Sequence, residues 1–135
     1  MVPSAFVAGK ELAQALESLS APVDCTRDRV LFRQGDDPTG VYIVRAGCAA
    51  LTMQSVSGEI ILRIESGPGS VLGLPGLIGN KPYSLTAVAH RGSQVGFVTR
   101  DEFTALMTNE PLLSLRVLEV LAAEVHTARQ AIFDS

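Results

Sequence analysis

The sequence has few of the residues that build metal centres and covalent cross-links, with two cysteines and two histidines among 135 residues. Cys25 and Cys48 cannot supply the four thiolates that an iron–sulfur cluster or a structural zinc site requires, and their wide spacing matches no metal signature. The composition therefore predicts two small, buried thiols in a reducing compartment and no metal centre.

Histidine is too sparse for the catalytic sites that glycine-rich β-barrels can hold. A cupin-type metalloenzyme needs closely spaced histidines and a carboxylate, whereas His90 and His126 are far apart and are expected to be solvated or capping side chains. Haem ligation by His90 or His126 is an alternative that a visible spectrum would reveal. There is no Gly-x-Ser-x-Gly motif, and neither cysteine has a histidine close in sequence. We therefore expect no enzyme activity.

Long apolar runs and an excess of basic residues are also missing. No stretch approaches the roughly 18 consecutive apolar residues of a membrane span, and residues 1–10 lack the charged start and apolar run of a signal peptide. The chain has 11 basic and 14 acidic residues, a net charge of −3, whereas proteins that grip phosphate backbones carry basic patches. We expect one compact cytoplasmic domain that crosses no membrane and binds no nucleic acid by itself.

The start of the chain has the spacing of a short amphipathic helix. From Ser4 to Leu19, small and apolar residues recur at intervals of three and four, until Pro22 ends the run. From Val23 to Thr99 the chain changes to short runs rich in β-branched residues and separated by turn residues. This change predicts a β-barrel, roll or sandwich that the leading helix covers.

Two antiparallel hairpins are predicted within the β region. Residues 51–54 alternate apolar and polar. In residues 59–65, Ile60, Leu62 and Ile64 share one face of a strand, and the other face carries Glu59, Ile61, Arg63 and Glu65, with a turn between the two segments. Residues 85–90 and 95–99 are predicted to form a second hairpin. Residues 41–44 are apolar on both faces, which indicates an inner strand. Four glycines fall between strand runs, where tight bends require positive φ: Gly35, Gly47, Gly58 and Gly69.

Helical signals return at the end of the chain. Thr99 and Glu102 have the spacing of a capping box, which predicts a helix over residues 100–107. Asn109 as a cap and Pro111 in the first turn then predict a long helix over residues 110–133.

The long helix carries two apolar stripes. One stripe can cover the β region and consists of Leu113, Val117 and Val120. The other is predicted to form the seam of a parallel helix pair in a homodimer and consists of Leu118, Leu121, Val125, Ala128 and Ile132. A monomer in which other elements cover both stripes is the alternative.

Several motifs occur in an order and spacing shared with one domain family. They are Val30-Leu31-Phe32-Arg33-Gln34-Gly35-Asp36, Tyr42-Ile43-Val44-Arg45-Ala46-Gly47, Pro68-Gly69, Leu72-Gly73 and Thr86-Ala87-Val88-Ala89. From about Ser4 to Phe133 the chain resembles the cyclic-nucleotide-binding sensor half of the Crp/Fnr family of bacterial transcription regulators. The resemblance implies a mainly β fold with flanking helices, a double-stranded β-helix (a jelly-roll-like β-roll) with an N-terminal helix, a short helix and a long C-terminal dimerisation helix.

Family members that bind cyclic AMP have a phosphate-binding cassette after the step that resembles Leu72-Gly73. A short helix there presents backbone amides to the phosphate, a glutamate accepts from the ribose hydroxyl, and an arginine neutralises the phosphate. By this resemblance, the ligand-binding residues here are Gly73, Leu74, Gly76, Lys81, Pro82, Tyr83 and Ser84.

The cassette departs from the family pattern at its two charged positions. The glutamate position holds Leu74 and the arginine position holds Tyr83. Pro75 also removes a backbone donor, while Ser84 remains as a phosphate donor and Lys81 offers only a mobile charge. We therefore expect no tight binding of cyclic AMP and no bound cofactor other than an unidentified small ligand.

The altered cassette leaves two interpretations open. Leu74 and Tyr83 give an amphipathic lining to a pocket for a less anionic ligand, or they fill the pocket as part of the core while dimer geometry carries the signal.

Two functional classes also remain. The chain is the ligand-sensing and dimerisation domain of a Crp/Fnr-like transcription regulator, or it is a stand-alone interaction protein that dimerises with or modulates another regulator. Regulators of the family continue into a helix-turn-helix domain, which the 135 residues lack.

Overall fold

A computed structural model describes the backbone of residues 7–134 and the side chains of residues 7–126. Its elements in chain order are α1 (Lys10–Leu19), β1 (Ala21–Val23), β2 (Arg29–Phe32), β3 (Gly40–Ala46), β4 (Ala49–Gln54), β5 (Ile60–Ser66), β6 (Val71–Leu72), α2 (Leu74–Gly79), β7 (Thr86–Ala89), β8 (Gln94–Thr99), α3 (Arg100–Asn109) and α4 (Pro111–Asp134). The predicted fold class, a mainly β roll with flanking helices, is confirmed.

Two antiparallel four-stranded sheets form the roll. Their strand orders are β1-β8-β3-β6 and β2-β7-β4-β5. Among the described strands, only β4 and β5 are neighbours both in sequence and in a sheet. The first strand pairs with the last, so that Ala21 lies opposite Phe97. Each sheet is therefore assembled from distant parts of the chain.

One predicted hairpin is confirmed and the other is wrong. Strands β4 and β5 pair antiparallel, with Leu51 opposite Ile64. Strands β7 and β8 do not pair with each other, because they belong to different sheets. The link between them bonds to other parts of the roll: the His90 N–H donates to the Cys48 carbonyl and the Gly92 N–H to the Cys25 carbonyl. These bonds carry the chain from one sheet to the other.

Strand β3 separates two hydrophobic cores, which accounts for its apolar residues on both faces. Val41 and Ile43 face the helix-side core, which α1, α2, α3 and α4 cover. Tyr42 and Val44 face the roll core between the two sheets. The alternation follows from the two-residue period of a strand. Each fully buried aliphatic side chain contributes roughly 1.5–3 kcal/mol by leaving water.

The first helix is shorter than predicted. It begins at Lys10, after Gly9, whereas the sequence predicted a start at Ser4, which lies outside the described residues. Val7 forms a β-bridge with Ser70, and the Ala8 N–H donates to the Gly69 carbonyl at 2.8 Å. Pairing with residues 69 and 70 keeps residues 7 and 8 extended, so the helix begins later in the chain than predicted.

The capping box of α3 is present as predicted, with the Thr99 side chain accepting from the Glu102 N–H and the Glu102 carboxylate accepting from the Thr99 N–H. Asn109 does not cap the long helix, because it is the last residue of α3 and Glu110 separates the two helices. Among the described residues, no helix has both the length and the apolar content needed to cross a bilayer.

All four predicted turn glycines have positive φ, but their surroundings differ. A Cβ built on Gly58 meets nothing within 4 Å. A Cβ on Gly47 would overlap Oγ of Ser93 and lie 2.8 Å from its Cα. That hydroxyl is held in place, because it donates to the Cys48 carbonyl at 3.0 Å and accepts from the Cys48 N–H at 3.1 Å.

Alanine substitutions separate the backbone cost from the steric cost. We expect Gly58→Ala to lower the free energy of unfolding by about 1–2 kcal/mol, the cost of a left-handed conformation with a side chain. Gly47→Ala should lower it clearly further, because Ser93 must also move. Urea denaturation of both variants checks this, and equal losses would show that the turn at Gly47 has room for a Cβ.

Candidate functional site

The segment that follows α2 is held against the turn after β2. The Lys81 N–H donates to the Gly76 carbonyl at 3.0 Å, which closes the segment onto α2. The Tyr83 N–H donates to the Asp36 carbonyl at 2.9 Å, and the Gly35 N–H donates to the Tyr83 carbonyl at 2.8 Å. These bonds place the two halves of the cassette around one small cavity.

Gly73 makes the entry into α2 possible. Its φ is 96°, and a Cβ at this position would lie 3.0 Å from the Tyr83 ring. A side chain here would combine a strained backbone with a tight contact to an aromatic ring. Glycine therefore lets the chain turn into the helix directly beneath Tyr83.

Tyr83 is a buried tyrosine with its polar group satisfied. Its hydroxyl donates to the Gly40 carbonyl at 2.8 Å and accepts from the Thr39 N–H at 3.1 Å. Its ring stacks on Phe32 with the ring centroids 4.0 Å apart. Hydroxyl and ring together join the cassette to the start of β3 and to β2.

The cavity beside Tyr83 has a volume of about 30 Å³, which is room for one or two water molecules. Two larger surface depressions, of about 330 and 380 Å³, lie elsewhere on the domain. The residues lining the small cavity are Phe32, Leu51, Leu72, Gly73, Pro75, Gly76, Tyr83, Ser84, Leu85 and Glu124. This described lining includes one carboxyl group and no lysine or arginine.

Glu124 is the polar feature of the cavity, and it comes from α4. Its side chain is 9% exposed, and neither carboxyl oxygen has a hydrogen-bond partner among the described residues. Burial raises the pKa of Glu124 from its ordinary 4.5 to about 8. At neutral pH the group is therefore mostly a neutral carboxylic acid, able both to donate and to accept a hydrogen bond.

The structure brings some of the predicted ligand-binding residues together and separates others. Gly73, Gly76, Tyr83 and Ser84 line the cavity. Leu74 is fully buried on the other side of β3, in the helix-side core. Lys81 and Pro82 are exposed and outside the lining.

Glu124 was missed, although the sequence contained a signal for it. Leu113, Val117 and Val120 follow one stripe of α4, and the next position of that stripe is Glu124. All four residues are buried. An acid that continues an apolar stripe is a candidate for a buried functional group.

The second stripe of α4 is partly open to solvent in the single chain. Leu118 is 60% exposed and Val125 is 54% exposed, while Leu121 packs partly against the helix-side core. The side chains of Ala128 and Ile132 lie outside the described residues.

The two cysteines differ more than the composition predicted. Cys25 is buried, as expected, but Cys48 is only half-buried. Burial raises the pKa of the Cys48 thiol, and the neighbouring Glu65 carboxylate raises it further. His90 lies 2.9 Å from Glu65, measured from Nε2 to Oε2. His126 is exposed on α4.

Comparison with protein families matches residues 22–110 to the model of the cyclic nucleotide-binding domain. Among curated proteins, the transcriptional regulatory protein btr of Bordetella pertussis is 27% identical over 120 residues, which are 89% of this chain and 49% of btr. The chain thus spans about half the length of that relative.

Two solved structures show the same fold. The catabolite activator protein of Thermus thermophilus matches with a TM-score of 0.78 and 22% identity, over 92% of this chain and 58% of that one. The sensor domain of the transcriptional regulator DNR from Pseudomonas aeruginosa matches with a TM-score of 0.66 and 19% identity, over 90% of this chain and 82% of that one.

The buried acid makes stability depend on pH in a defined direction. The pKa of Glu124 is raised in the folded state, so its penalty is absent below about pH 4.5 and grows until about pH 8. Within this window the free energy of unfolding should fall by about 1.4 kcal/mol per pH unit. Glu124→Gln should remove that slope and be more stable than the parent chain at pH 8.

Glu119→Gln is the matched control, because Glu119 is an exposed glutamate on the same helix. It should keep the parent slope. Urea denaturation at several pH values measures all three proteins, and parallel profiles for the parent chain and Glu124→Gln would contradict the burial of an uncompensated carboxyl.

Proposed function

The chain belongs to the family of cyclic nucleotide-binding domains, and on that premise we propose that it is the ligand-sensing and dimerisation domain of a Crp/Fnr-like transcription regulator. The observation that carries the proposal is the position of Glu124. It lines the cassette cavity, yet it belongs to the helix that presents Leu118 and Val125 to solvent. A molecule that enters the cavity therefore meets the dimerisation helix directly.

The chemistry of the lining favours an effector that is less anionic than a cyclic nucleotide. The arginine position of the cassette holds Tyr83, whose hydroxyl is already engaged with Gly40. The glutamate position holds Leu74, which faces the helix-side core. Each missing charge-assisted contact removes about 1.5–3 kcal/mol, so the two losses together weaken binding by at least about a hundredfold.

The cavity is so small that an effector can bind only if part of the protein moves. At about 30 Å³ it is far smaller than the roughly 300 Å³ or more of a pocket that encloses a drug-sized ligand. In the proposal, the effector enters as α4 moves away from Phe32 and Tyr83. Binding then changes the position of the dimer seam, which is the signal.

The proposed seam consists of Leu118, Leu121, Val125, Ala128 and Ile132. Support comes from the exposure of Leu118 and Val125, since burying such apolar side chains against a second copy removes them from water. In this proposal the 135 residues do not themselves bind DNA, because their net charge of −3 opposes contact with DNA phosphates.

A second candidate is an interaction domain without an effector, which dimerises with or modulates another regulator. The observation that favours it is the small size of the cavity, about 30 Å³, which Tyr83 and its stacking partner Phe32 help to line. In that case Glu124 would influence stability alone, and no small molecule would change the strength of dimerisation.

Cyclic AMP should bind weakly, because the described lining has no cation to neutralise its phosphate. We expect isothermal titration calorimetry to give a dissociation constant above about 10 μM. Glu124→Gln is the informative companion, since removing the carboxyl without adding a cation should still leave the affinity weak. A dissociation constant below 10 μM for the parent chain would contradict the proposed effector class.

Dimerisation through α4 should depend on the seam and not on apolar residues elsewhere on the helix. Leu118→Glu puts a charge into the seam and should shift the protein from dimer to monomer at micromolar concentration. Light scattering coupled to size exclusion measures the mass in solution.

Leu112→Glu is the matched control. Leu112 is 76% exposed, and the 3.6-residue period places it about a third of a turn away from Leu118 around the helix. This variant should remain dimeric. A monomeric parent chain, or equal dissociation of both variants, would overturn the proposed seam.

A further inference from the structure

We propose that Cys48, Glu65 and His90 form a binding site for a divalent transition-metal ion of the zinc class. One sulfur, one carboxylate oxygen and one imidazole nitrogen lie within 4.8 Å of one another. The three residues are on the sheet β2-β7-β4-β5 or directly beside its strands, away from the cassette cavity. The site is thus independent of the effector cavity.

Strand register brings the three side chains to one face. Ala49 lies opposite Ala89, and both side chains face the roll core. Successive side chains alternate between faces, so Cys48 before Ala49 and His90 after Ala89 point to the outer face. On β5, Glu65 lies opposite the residue that follows Ala49. That residue faces outward, and residues paired across two strands share a face, so Glu65 also points to the outer face.

The backbone holds two of the ligands in place. The His90 N–H donates to the Cys48 carbonyl at 3.0 Å, which joins the two residues directly. The Ser93 hydroxyl donates to that carbonyl and accepts from the Cys48 N–H. A site on paired strands, held by such bonds, loses little conformational entropy when a metal binds.

The three ligand atoms lie within 4.8 Å of one another, so small side-chain movements bring them to the spacing of a tetrahedral ion. Bonds of about 2.0–2.3 Å place tetrahedral ligand atoms roughly 3.5 Å apart. Nε2 of His90 and Oε2 of Glu65 are 2.9 Å apart, so the ion replaces the hydrogen bond between them. The other carboxylate oxygen of Glu65 accepts from Arg63 at 3.3 Å, an outer contact that orients the ligand.

The donor set selects the class of metal. A thiolate and an imidazole are ligands for Zn²⁺ and similar ions, whereas Mg²⁺ and Ca²⁺ take oxygen ligands. On binding, the sulfur of Cys48 forms a bond to the metal and its thiol proton passes to solvent. Three protein ligands leave the fourth tetrahedral position for water or another small donor.

Cobalt(II) is the probe for the test, because it takes the same geometry as Zn²⁺ and absorbs light when bound to a thiolate. We expect the metal-free full chain to bind one Co²⁺, with a thiolate-to-cobalt charge-transfer band that added Zn²⁺ removes and added Mg²⁺ does not. Cys48→Ala should abolish the band. Glu65→Gln and His90→Gln should each weaken binding by at least about tenfold.

The chain supplies matched controls, because it has two cysteines and two histidines, with one of each in the site. Cys25→Ala and His126→Gln should bind Co²⁺ like the parent chain. Absence of the charge-transfer band at millimolar Co²⁺ would overturn the proposal. A band that survives Cys48→Ala, or is lost only in Cys25→Ala, would overturn it as well.

Discussion

The hydroxyl of Tyr83 holds the candidate site together. It bonds the backbone at the start of β3, donating to Gly40 and accepting from Thr39. The ring stacks on Phe32 of β2 and lies over Gly73 at the entry to α2. A cationic side chain at this position could not take over these contacts, because it has no acceptor for the Thr39 N–H. Tyr83 therefore both encloses the cavity and contributes no cation to its lining.

The long helix α4 has a role in both the core and the site. Leu113, Val117 and Val120 cover the helix-side core, and Ala123 packs against the roll core one turn later. The same surface carries Glu124 into the cavity, where a carboxyl is costly to bury. A leucine at this position would avoid that cost, so the acid lowers the stability that α4 gains from packing here.

The parts of the fold that local chemistry determines could be predicted from the sequence. The Thr99–Glu102 capping box follows from residue spacing alone, and the inner strand at Val41 to Val44 follows from its apolar residues on both faces. The wrong hairpin had good local signals as well, but His90 and Gly92 find their backbone partners in strands far away in sequence. Local pattern contains no information about such partners.

The candidate site could likewise be predicted from the sequence only in part. Gly73 and Tyr83 could be located by resemblance. Leu74 instead faces the helix-side core while its neighbours Pro75 and Gly76 line the cavity, because successive residues of a helix point in different directions. The grouping of Cys48 with Glu65 and His90 depends on the register of three strands, which spacing in one sequence does not reveal.

The strand order has a consequence for how the chain folds. In the described sheets β1 pairs only with β8, and β2 pairs only with β7. During synthesis these early strands have no partner until residues 86–99 have left the ribosome. Contacts between distant segments also slow folding, because the entropy cost of closing a long loop comes before the favourable energy of strand pairing. The β4–β5 hairpin can form early, whereas the roll closes in a late step that needs nearly the whole β region.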